Sequence, residues 1–295
     1  MPDQGEYVLT GTCPDAGGIL AAVTGLLTGA GANIVDCQQF SAADFFTRVQ
    51  FRLGGAGDIG TADIGAVDIS VIRDKFAETA RALGMTWSID EVGARPRTAL
   101  LVSKHLHCLN DLLFRHRTGE LPVDVTAIVS NHPDAGELAS WHGIPFHHVP
   151  VTGGDLDDRD DQEARLSDLL RGLDVDLVVL ARYMRVLGPR FCAEHAGRMI
   201  NIHHSFLPSF KGARPYAQAH AAGVKLIGAT AHYVTPALDE GQIIEQDVLR
   251  VDHRHTPARL RAVGQDLESR VLARAVTWHA EHRVLRNGNR TVVFA

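Results

Sequence analysis

The sequence predicts an α/β protein of two domains, a small ferredoxin-like βαββαβ domain followed by a doubly wound sheet of mostly parallel strands. Within residues 1–90, strand and helix patterns follow one another in the order β-α-β-β-α-β. The polar stretch EVGARPR at 91–97 contains glycine and proline and has the composition of a linker. Beyond it, continuous apolar runs alternate with helical patterns, which is typical of a parallel sheet. The predicted domains are therefore 1–90 and 98–295.

The first domain begins with a short β-prone segment, Tyr7–Thr12, which leads into the loop CPDAGGI. Asp15 in this loop is placed to cap the helix that follows. In the strand that begins at Phe45, alternate residues such as Val49 predict a buried face, and Arg48 falls on the opposite face. The later elements are predicted at Ile19–Ala30 (helix), Asn33–Phe40 and Phe45–Leu53 (strands), Gly54–Gly65 (loop), Asp68–Leu83 (helix) and Met85–Asp90 (strand).

The second domain is predicted from apolar runs such as TALLVS and VDLVVL, which suit strands buried on both faces. Strands are predicted at Thr98–Ser103, Val123–Val129, Pro145–Val149, Val175–Leu180, Met199–Ile202, Leu226–Val234 and Gly241–Val251. Helices are predicted at Leu106–Arg117, near Glu137, at Asp160–Leu173, near Gly188–His195 and at Thr256–Glu281.

Composition excludes several classes of function. The 295 residues carry a formal net charge of −6 and no run of lysine or arginine, which argues against nucleic acid as a partner. We expect no secretory signal and no membrane-spanning segment. The 4 cysteines are far apart and suit free thiols in a reducing compartment, so a cytoplasmic location is predicted.

The most informative segment is NIHHSFLPSF, which starts at Asn201 on the carboxyl end of an apolar strand. Ligands of open parallel sheets bind at that edge. An amide at Asn201 can donate a hydrogen bond to a developing oxyanion, and His203 can act as a general acid or, when protonated, stabilise that oxyanion. Asp239, in a loop rich in Thr, Pro and Gly, can orient the histidine and a water molecule. Attack on a small carbonyl is one of several chemistries that this spacing allows.

The chain resembles a known family. Asn201-x-His203, with Asp239 36 positions beyond His203, resembles the formyltransferase catalytic domain, a Rossmann-like fold. The strings NIHHSFLPSFKGARPY, GATAHYV, LDEGQII, DVLRVDH and NGNRTVVF resemble the formyltetrahydrofolate deformylase family specifically. The first ninety residues resemble the ACT domain that this family carries. The resemblance covers nearly the whole chain.

The resemblance implies the activity and the site residues. The reaction would be hydrolysis of 10-formyltetrahydrofolate to tetrahydrofolate and formate, which supplies formate for purine biosynthesis and balances one-carbon pools. Asn201 and His203 would stabilise the oxyanion, and Asp239 would orient the water. The folate pocket would be lined by Met184, Arg185, Leu187, Val234, Thr235 and Leu238, and His204 either shapes this pocket or is structural. Ala217 departs from the family pattern, which tends to have histidine there.

Hydrolysis is favoured over formyl transfer because Ser103–Leu109 lacks the glycine-rich phosphate loop of the related glycinamide ribonucleotide transformylases. His204 also replaces the proline that those transferases tend to carry. A formyltransferase acting on an amine remains an alternative. A non-catalytic amino-acid or folate sensor is a more distant one, which the complete set of Asn201, His203 and Asp239 argues against.

The remaining expectations concern ligands and partners. The histidine pairs lack the spacing of common zinc motifs, so neither a metal nor a tightly bound cofactor is expected. By its resemblance, the ACT domain implies a homo-oligomer, a dimer or a tetramer, and an amino-acid effector. Asp15 is a candidate contact for this effector, with a role as a plain helix cap as the alternative.

Overall fold

The computed structural model describes residues 5–53, 68–151, 156–208 and 215–295. The chain forms two compact units. The first unit extends to Ala94 and includes Glu281–Asn287 and Val292–Ala295, whereas the second consists of Arg95–Ala280 and Gly288–Thr291. The sequence analysis assigned everything from residue 98 onward to the second domain. The C-terminal tail therefore differs from that expectation, because most of it packs with the first unit.

The first unit has the predicted βαββαβ order. Its four strands form an antiparallel sheet in the order β2-β3-β1-β4, which is a ferredoxin-like topology. The elements are β1 (Glu6–Pro14), α1 (Ile19–Gly29), β2 (Ala32–Ser41), β3 (Asp44–Leu53), α2 (Ile69–Leu83) and β4 (Thr86–Glu91). Asp68 caps α2 by accepting a hydrogen bond from the backbone N–H of Ser70 at 2.9 Å. The predicted loop at 54–65 lies outside the described residues.

Both faces of β3 are buried, which the alternating pattern did not predict. Phe45, Val49 and Phe51 pack into the core beneath the helices, as expected. On the other face, Phe46 packs against Leu285 and Phe294 of the C-terminal tail. Arg48 on the same face is also buried, and its guanidinium donates to the carbonyl of Glu281 at 3.3 Å. The tail can cover this face because its apolar side chains pack against Phe46 and its backbone carbonyl at Glu281 accepts the hydrogen bonds of Arg48.

The second unit is a seven-stranded sheet in the order β11-β10-β9-β8-β5-β6-β7. The strands from β9 to β7 are parallel, and β10 pairs antiparallel with β9 and β11, so the predicted mostly parallel, doubly wound sheet is confirmed. Its strands are β5 (Arg97–Val102), β6 (Asp124–Ser130), β7 (Phe146–His148), β8 (Leu177–Leu180), β9 (Met199–His203), β10 (Leu226–Tyr233) and β11 (Ile243–Arg250).

Helices flank this sheet. They are α3 (His107–Thr118), α4 (Gly136–His142), α5 (Leu156–Gly172), α6 (Pro189–Glu194), α7 (Pro215–Ala221) and α8 (Pro257–Ala280), with a short 3-10 turn at Pro133–Ala135. The sequence analysis missed α7 and the C-terminal hairpin of β12 (Val284–Asn287) and β13 (Arg290–Val293). Among the described residues, none of the helices combines the length and apolar character needed to cross a bilayer.

The strand order shows at which edge of the sheet a ligand is expected to bind. The chain runs from β5 outward to β6 and β7, then returns to build β8 and β9 on the other side of β5. Ligands of doubly wound sheets bind at the carboxyl ends of the strands where the order reverses. Here the segments after β5, β8 and β9 meet at that point, and they begin at Ser103, Ala181 and His204.

Candidate active site

A cavity of about 600 Å³ opens at this edge of the second unit. It is lined by the segment after β8, by the end of β9, by the loop between β10 and β11, and by part of α8. All ten residues that the sequence analysis assigned to catalysis or substrate binding line it: Met184, Arg185, Leu187, Asn201, His203, His204, Val234, Thr235, Leu238 and Asp239. Residues far apart in sequence thus converge on one cavity.

His203 and Asp239 form the centre of the site. Nδ1 of His203 lies 3.3 Å from Oδ1 of Asp239, and both side chains are largely buried. The other ring nitrogen of His203, Nε2, is buried and has no hydrogen-bond partner among the described residues. Since His203 lines the cavity, this geometry leaves Nε2 available to a bound group.

The loop that carries Asp239 has an unusual backbone. Asp239 has a φ of 56°, in the left-handed region that aspartate tolerates better than most residues. Gly241 follows, and a Cβ at that position would overlap the carbonyl of Tyr233. Thr235 donates to the carbonyl of Ala237 at 3.1 Å and closes the turn before Asp239. The glycine of the sequence Asp-Glu-Gly is therefore required on steric grounds.

Asn201 is fixed by a residue that the sequence analysis did not select. Its Nδ2 lies 3.2 Å from Nε2 of His232, which is opposite Asn201 on the antiparallel neighbour β10. Nδ1 of His232 lies 2.8 Å from the carbonyl of Tyr233, so Nδ1 carries the proton and Nε2 accepts from the amide. The second N–H of Asn201 is then free to donate elsewhere. The motif GATAHYV contains His232, but its role depends on the strand register.

The ionisation of the site follows from burial and from neighbouring charges. The pKa of Asp239 is lowered, first by its hydrogen bond with His203 and against the opposing effect of burial. Burial and the charge of Arg182 lower the pKa of His204 to about 4. Burial also lowers the pKa of His232. At neutral pH the site therefore combines an ionised carboxylate with two neutral histidines.

The segment after β8 forms one wall of the cavity. The sequence analysis predicted that residues of this segment line a folate pocket. Met184 is exposed within the cavity, and its backbone N–H donates to Oγ of Ser103 at 2.9 Å. Ser103 in turn donates to Oδ1 of Asn131 at 2.7 Å. At the other end, the N–H of Gly188 donates to Oε1 of Glu163 on α5 at 2.7 Å. Both ends of the segment are thus held by hydrogen bonds, of which the one to Glu163 is buried.

A second group of polar residues, which we call the Glu268 cluster, lines the same cavity. It consists of Glu268, His107, Tyr216 and Arg182. Tyr216 donates to Oε1 of Glu268 at 2.5 Å, and Nε2 of His107 lies 2.8 Å from Oε2. Burial would raise the pKa of Glu268, but these hydrogen bonds and the charge of Arg182 outweigh it, and the pKa is lowered. The sequence analysis assigned no role to any of the four, since only folding brings α8 to the ends of β5 and β8.

The chain is similar in sequence and in fold to known proteins. A family model described as formyl transferase matches residues 96–276. A formyltetrahydrofolate deformylase of Corynebacterium sp. (strain P-1) is 46% identical over 296 residues, which cover 99% of this chain and 99% of the relative. The chain belongs to the formyltetrahydrofolate deformylase family. The crystal structure of the formyltetrahydrofolate deformylase of Burkholderia mallei ATCC 23344 is 50% identical, has a TM-score of 0.90, and is matched over 99% of this chain and 100% of that one.

The deformylase family shares its catalytic fold with transferases. Glycinamide ribonucleotide transformylase 1 from Symbiobacterium toebii matches 70% of this chain and 97% of its own, with 31% identity and a TM-score of 0.65. The resemblance to the formyltransferase catalytic domain is therefore confirmed. Membership of the deformylase family does not assign a role to each residue of this chain. Those roles are inferred from the geometry of the site.

The anchor at Glu163 gives a prediction for substrate binding in this deformylase family member. Replacing Glu163 by alanine leaves the buried N–H of Gly188 without an acceptor, which costs about 1–3 kcal/mol. The segment from Arg182 to Leu187 should loosen, and KM for the substrate should rise roughly tenfold with kcat nearly unchanged. Steady-state kinetics would measure this. Glu163→Gln is the matched control, since its amide oxygen still accepts. A fall in kcat at unchanged KM would contradict the assignment.

The described residues contain one group with the geometry of metal ligands, His107, Cys108 and Glu268. Two features oppose a cation there. Arg182 brings a positive charge within 3.4 Å of Glu268, and burial strongly raises the pKa of Cys108, which keeps the thiol protonated. The expectation that this deformylase family member holds no metal stays a prediction.

In the first unit, Asp15 lines a separate cavity of about 470 Å³. Gly18, rather than Asp15, is the N-cap of α1, and no side chain caps that helix. The interpretation of Asp15 as a helix cap is therefore wrong, because two further residues separate it from the N-cap. Its interpretation as a contact for a regulatory ligand stays a prediction.

Proposed function

We propose that the protein hydrolyses 10-formyltetrahydrofolate to tetrahydrofolate and formate at the cavity of the second unit. The observation that carries this proposal is the state of His203. One ring nitrogen lies beside Asp239, and the other is buried, lines the cavity and has no partner among the described residues. A ring nitrogen held in this position, beside the amide of Asn201, suits contact with the oxygen of a formyl group under attack.

The proposed reaction begins with water held by Asp239. The lowered pKa of Asp239 makes it a weak base, so its first contribution is to orient the water. The water oxygen bonds to the formyl carbon, and the carbonyl oxygen becomes an oxyanion. Asn201 donates to it through the N–H that His232 does not use. His203 donates to it from Nε2 in the form of the ring that carries a proton there.

The intermediate then collapses. As the C–N bond breaks, the departing folate nitrogen takes a proton that came from the water through Asp239 or His203. One oxygen of the product is the former carbonyl oxygen and the other comes from the water, and formic acid loses its proton to give formate. The substrate and water supply every atom of the products, and water and protein side chains transfer the protons, so the proposal requires no tightly bound cofactor.

The folate would occupy the apolar part of the cavity. Met184 and Leu238 are exposed there without substrate, and Leu187 and Val234 line the same space. The folate ring would bury the first two. Arg185, Thr235 and His204 complete this proposed pocket, mainly through contacts that do not exchange protons. The neutral state of His204 suits a wall residue.

Formyl transfer to an amine is the second candidate, favoured by the similarity to a transformylase. The segment after β5 supports hydrolysis instead. It lacks the glycine-rich loop expected of a phosphate-binding acceptor site, and the side chain of His107 is bound to Glu268. An amine acceptor bound through His107 would have to displace this hydrogen bond.

The test is the release of formate by purified protein from 10-formyltetrahydrofolate without any amine. We expect stoichiometric formate and tetrahydrofolate, and no stimulation by glycinamide ribonucleotide. Turnover that begins only when the amine is added, with formyl recovered on the amine, would support the transferase instead.

The proposal extends to regulation and physiological role. The first unit would act as an ACT domain that binds an amino acid at the cavity beside Asp15 and pairs with a second copy in a homo-oligomer. The formate would serve purine biosynthesis, and the hydrolysis would balance one-carbon pools.

A further inference from the structure

Arg182 is a buried arginine of the cavity that lies outside the proposed catalytic set. It follows β8 within the segment that leads to Met184, and its backbone φ is 67°. Its carbonyl accepts a hydrogen bond from the N–H of Ser103 at 3.2 Å. The side chain lines the cavity although only 9% of its surface is exposed. The fold therefore holds a buried guanidinium at the point where the strand order reverses.

No residue in the described part of the chain uses the donors of this guanidinium. Nε of Arg182 lies 3.4 Å from Oε2 of Glu268, an ion pair whose geometry gives no hydrogen bond. Both oxygens of Glu268 already accept hydrogen bonds, from Tyr216 and His107. None of the residues in the described ranges accepts a hydrogen bond from the Arg182 side chain. A buried guanidinium with unused donors is a site for a planar anion.

We infer that Arg182 binds the formate product, and this inference rests on the proposed hydrolysis. Formate is a planar carboxylate small enough for a buried site, and its two oxygens match the paired donors of a guanidinium. It would be formed beside His203, whose ring lies 5.1 Å from that of His204. The charge of Arg182 acts on His204 in turn. Arg182 thus attracts the anion away from Asp239, the carboxylate that would repel it.

The glutamate carboxylates of folate are the other source of the same chemistry. Burial argues for formate. Arg185 and Arg261 also line the cavity, but both are exposed, which suits a flexible tail that reaches solvent. Arg182 is buried, and its neighbour Glu268 is fully enclosed. A dicarboxylate tail would place its second charge against this buried carboxylate.

The experiment measures formate binding to the free protein without turnover, by calorimetry or by line broadening of 13C-formate. Wild-type protein should bind formate, and nitrate, which has the same planar shape, should compete. Arg182→Gln should weaken formate binding roughly 10- to 100-fold, since the lost hydrogen bonds are charge-assisted. Arg261→Gln is the matched control, an exposed arginine of the same cavity, and should bind formate as wild type does.

Each outcome decides the inference. It is overturned if the wild-type protein binds no formate, if Arg182→Gln binds it unchanged, or if Arg261→Gln loses it equally. It is also overturned if Arg182→Gln raises KM for 10-formyltetrahydrofolate but not for the analogue lacking glutamate. If Arg182→Gln does not fold, a crystal of wild-type protein soaked in nitrate must place the anion on Arg182. Because binding is measured without substrate, failure of the hydrolysis assay remains a separate result.

Discussion

Replacing His203 by alanine is expected to lower kcat for formate release by about 100- to 10,000-fold, the range for loss of a general acid or an oxyanion donor. One nitrogen of the ring lies beside Asp239, and the other has no hydrogen-bond partner among the described residues. Removing the ring therefore removes a group that is available to bind the substrate. KM should change little, because the proposed folate wall lies on other segments. Single-turnover and steady-state kinetics would measure both constants.

The control is His253→Ala, an exposed histidine outside the cavity, which should retain wild-type turnover. The melting temperature and the affinity for a folate product should be compared in all three proteins. A His203→Ala enzyme that binds folate normally and keeps turnover within a few-fold of wild type would show that the oxyanion is stabilised elsewhere.

Replacing Asp239 by asparagine is expected to have an effect of similar size, about 100- to 10,000-fold on kcat. Asparagine has the same shape and also tolerates the left-handed backbone that Asp239 adopts, so the loop should keep its conformation. The change removes the negative charge beside Nδ1 of His203 and replaces one of the two carboxylate oxygens, which are proposed to orient water, by an amide group that cannot accept a hydrogen bond. Glu240→Gln is the matched control, because it neutralises the adjacent exposed carboxylate.

The pH dependence tests the same residue. The pKa of Asp239 is lowered below its usual 3.8, so its carboxylate stays ionised under mildly acidic conditions. The negative charge is lost only when the pH falls through this lowered pKa of the folded protein. His204 gains a proton only near its pKa of about 4. We therefore expect neither group to reduce kcat/KM of the wild-type enzyme between about pH 5 and pH 8. Recovery of Asp239→Asn at any pH in that range would contradict the assigned role.

Much of the fold could be predicted from local patterns. The alternation in β3 and the continuous apolar run in β5 each predicted an element close to its observed bounds. The C-terminal tail could not be assigned in this way. The burial of Phe46 depends on Leu285 and Phe294, more than two hundred residues away, and no local pattern records that contact.

The residues of the site also divide into those that local sequence patterns predict and those that they do not. Asn201, His203 and Asp239 were predicted as site residues because their motifs are long and because a strand end predicts a ligand edge, and the three line one cavity. His232 lies within one of those motifs, but only the register of β10 against β9 places it beside Asn201. Glu268 and Arg182 were missed since each resembles an ordinary charged residue in its own segment. Their burial and pairing arise where α8 meets the end of β8.

The central claim is that water attacks the formyl carbon directly at the site of Asn201, His203 and Asp239. A single turnover in 18O-labelled water, followed by mass spectrometry of the formate and of the peptide that contains Asp239, tests it most directly. Direct attack predicts that the formate carries 18O and that Asp239 carries none. Label in the Asp239 carboxylate would reveal an acyl-enzyme intermediate, and formyl transferred without labelled formate would show that water is not the acceptor.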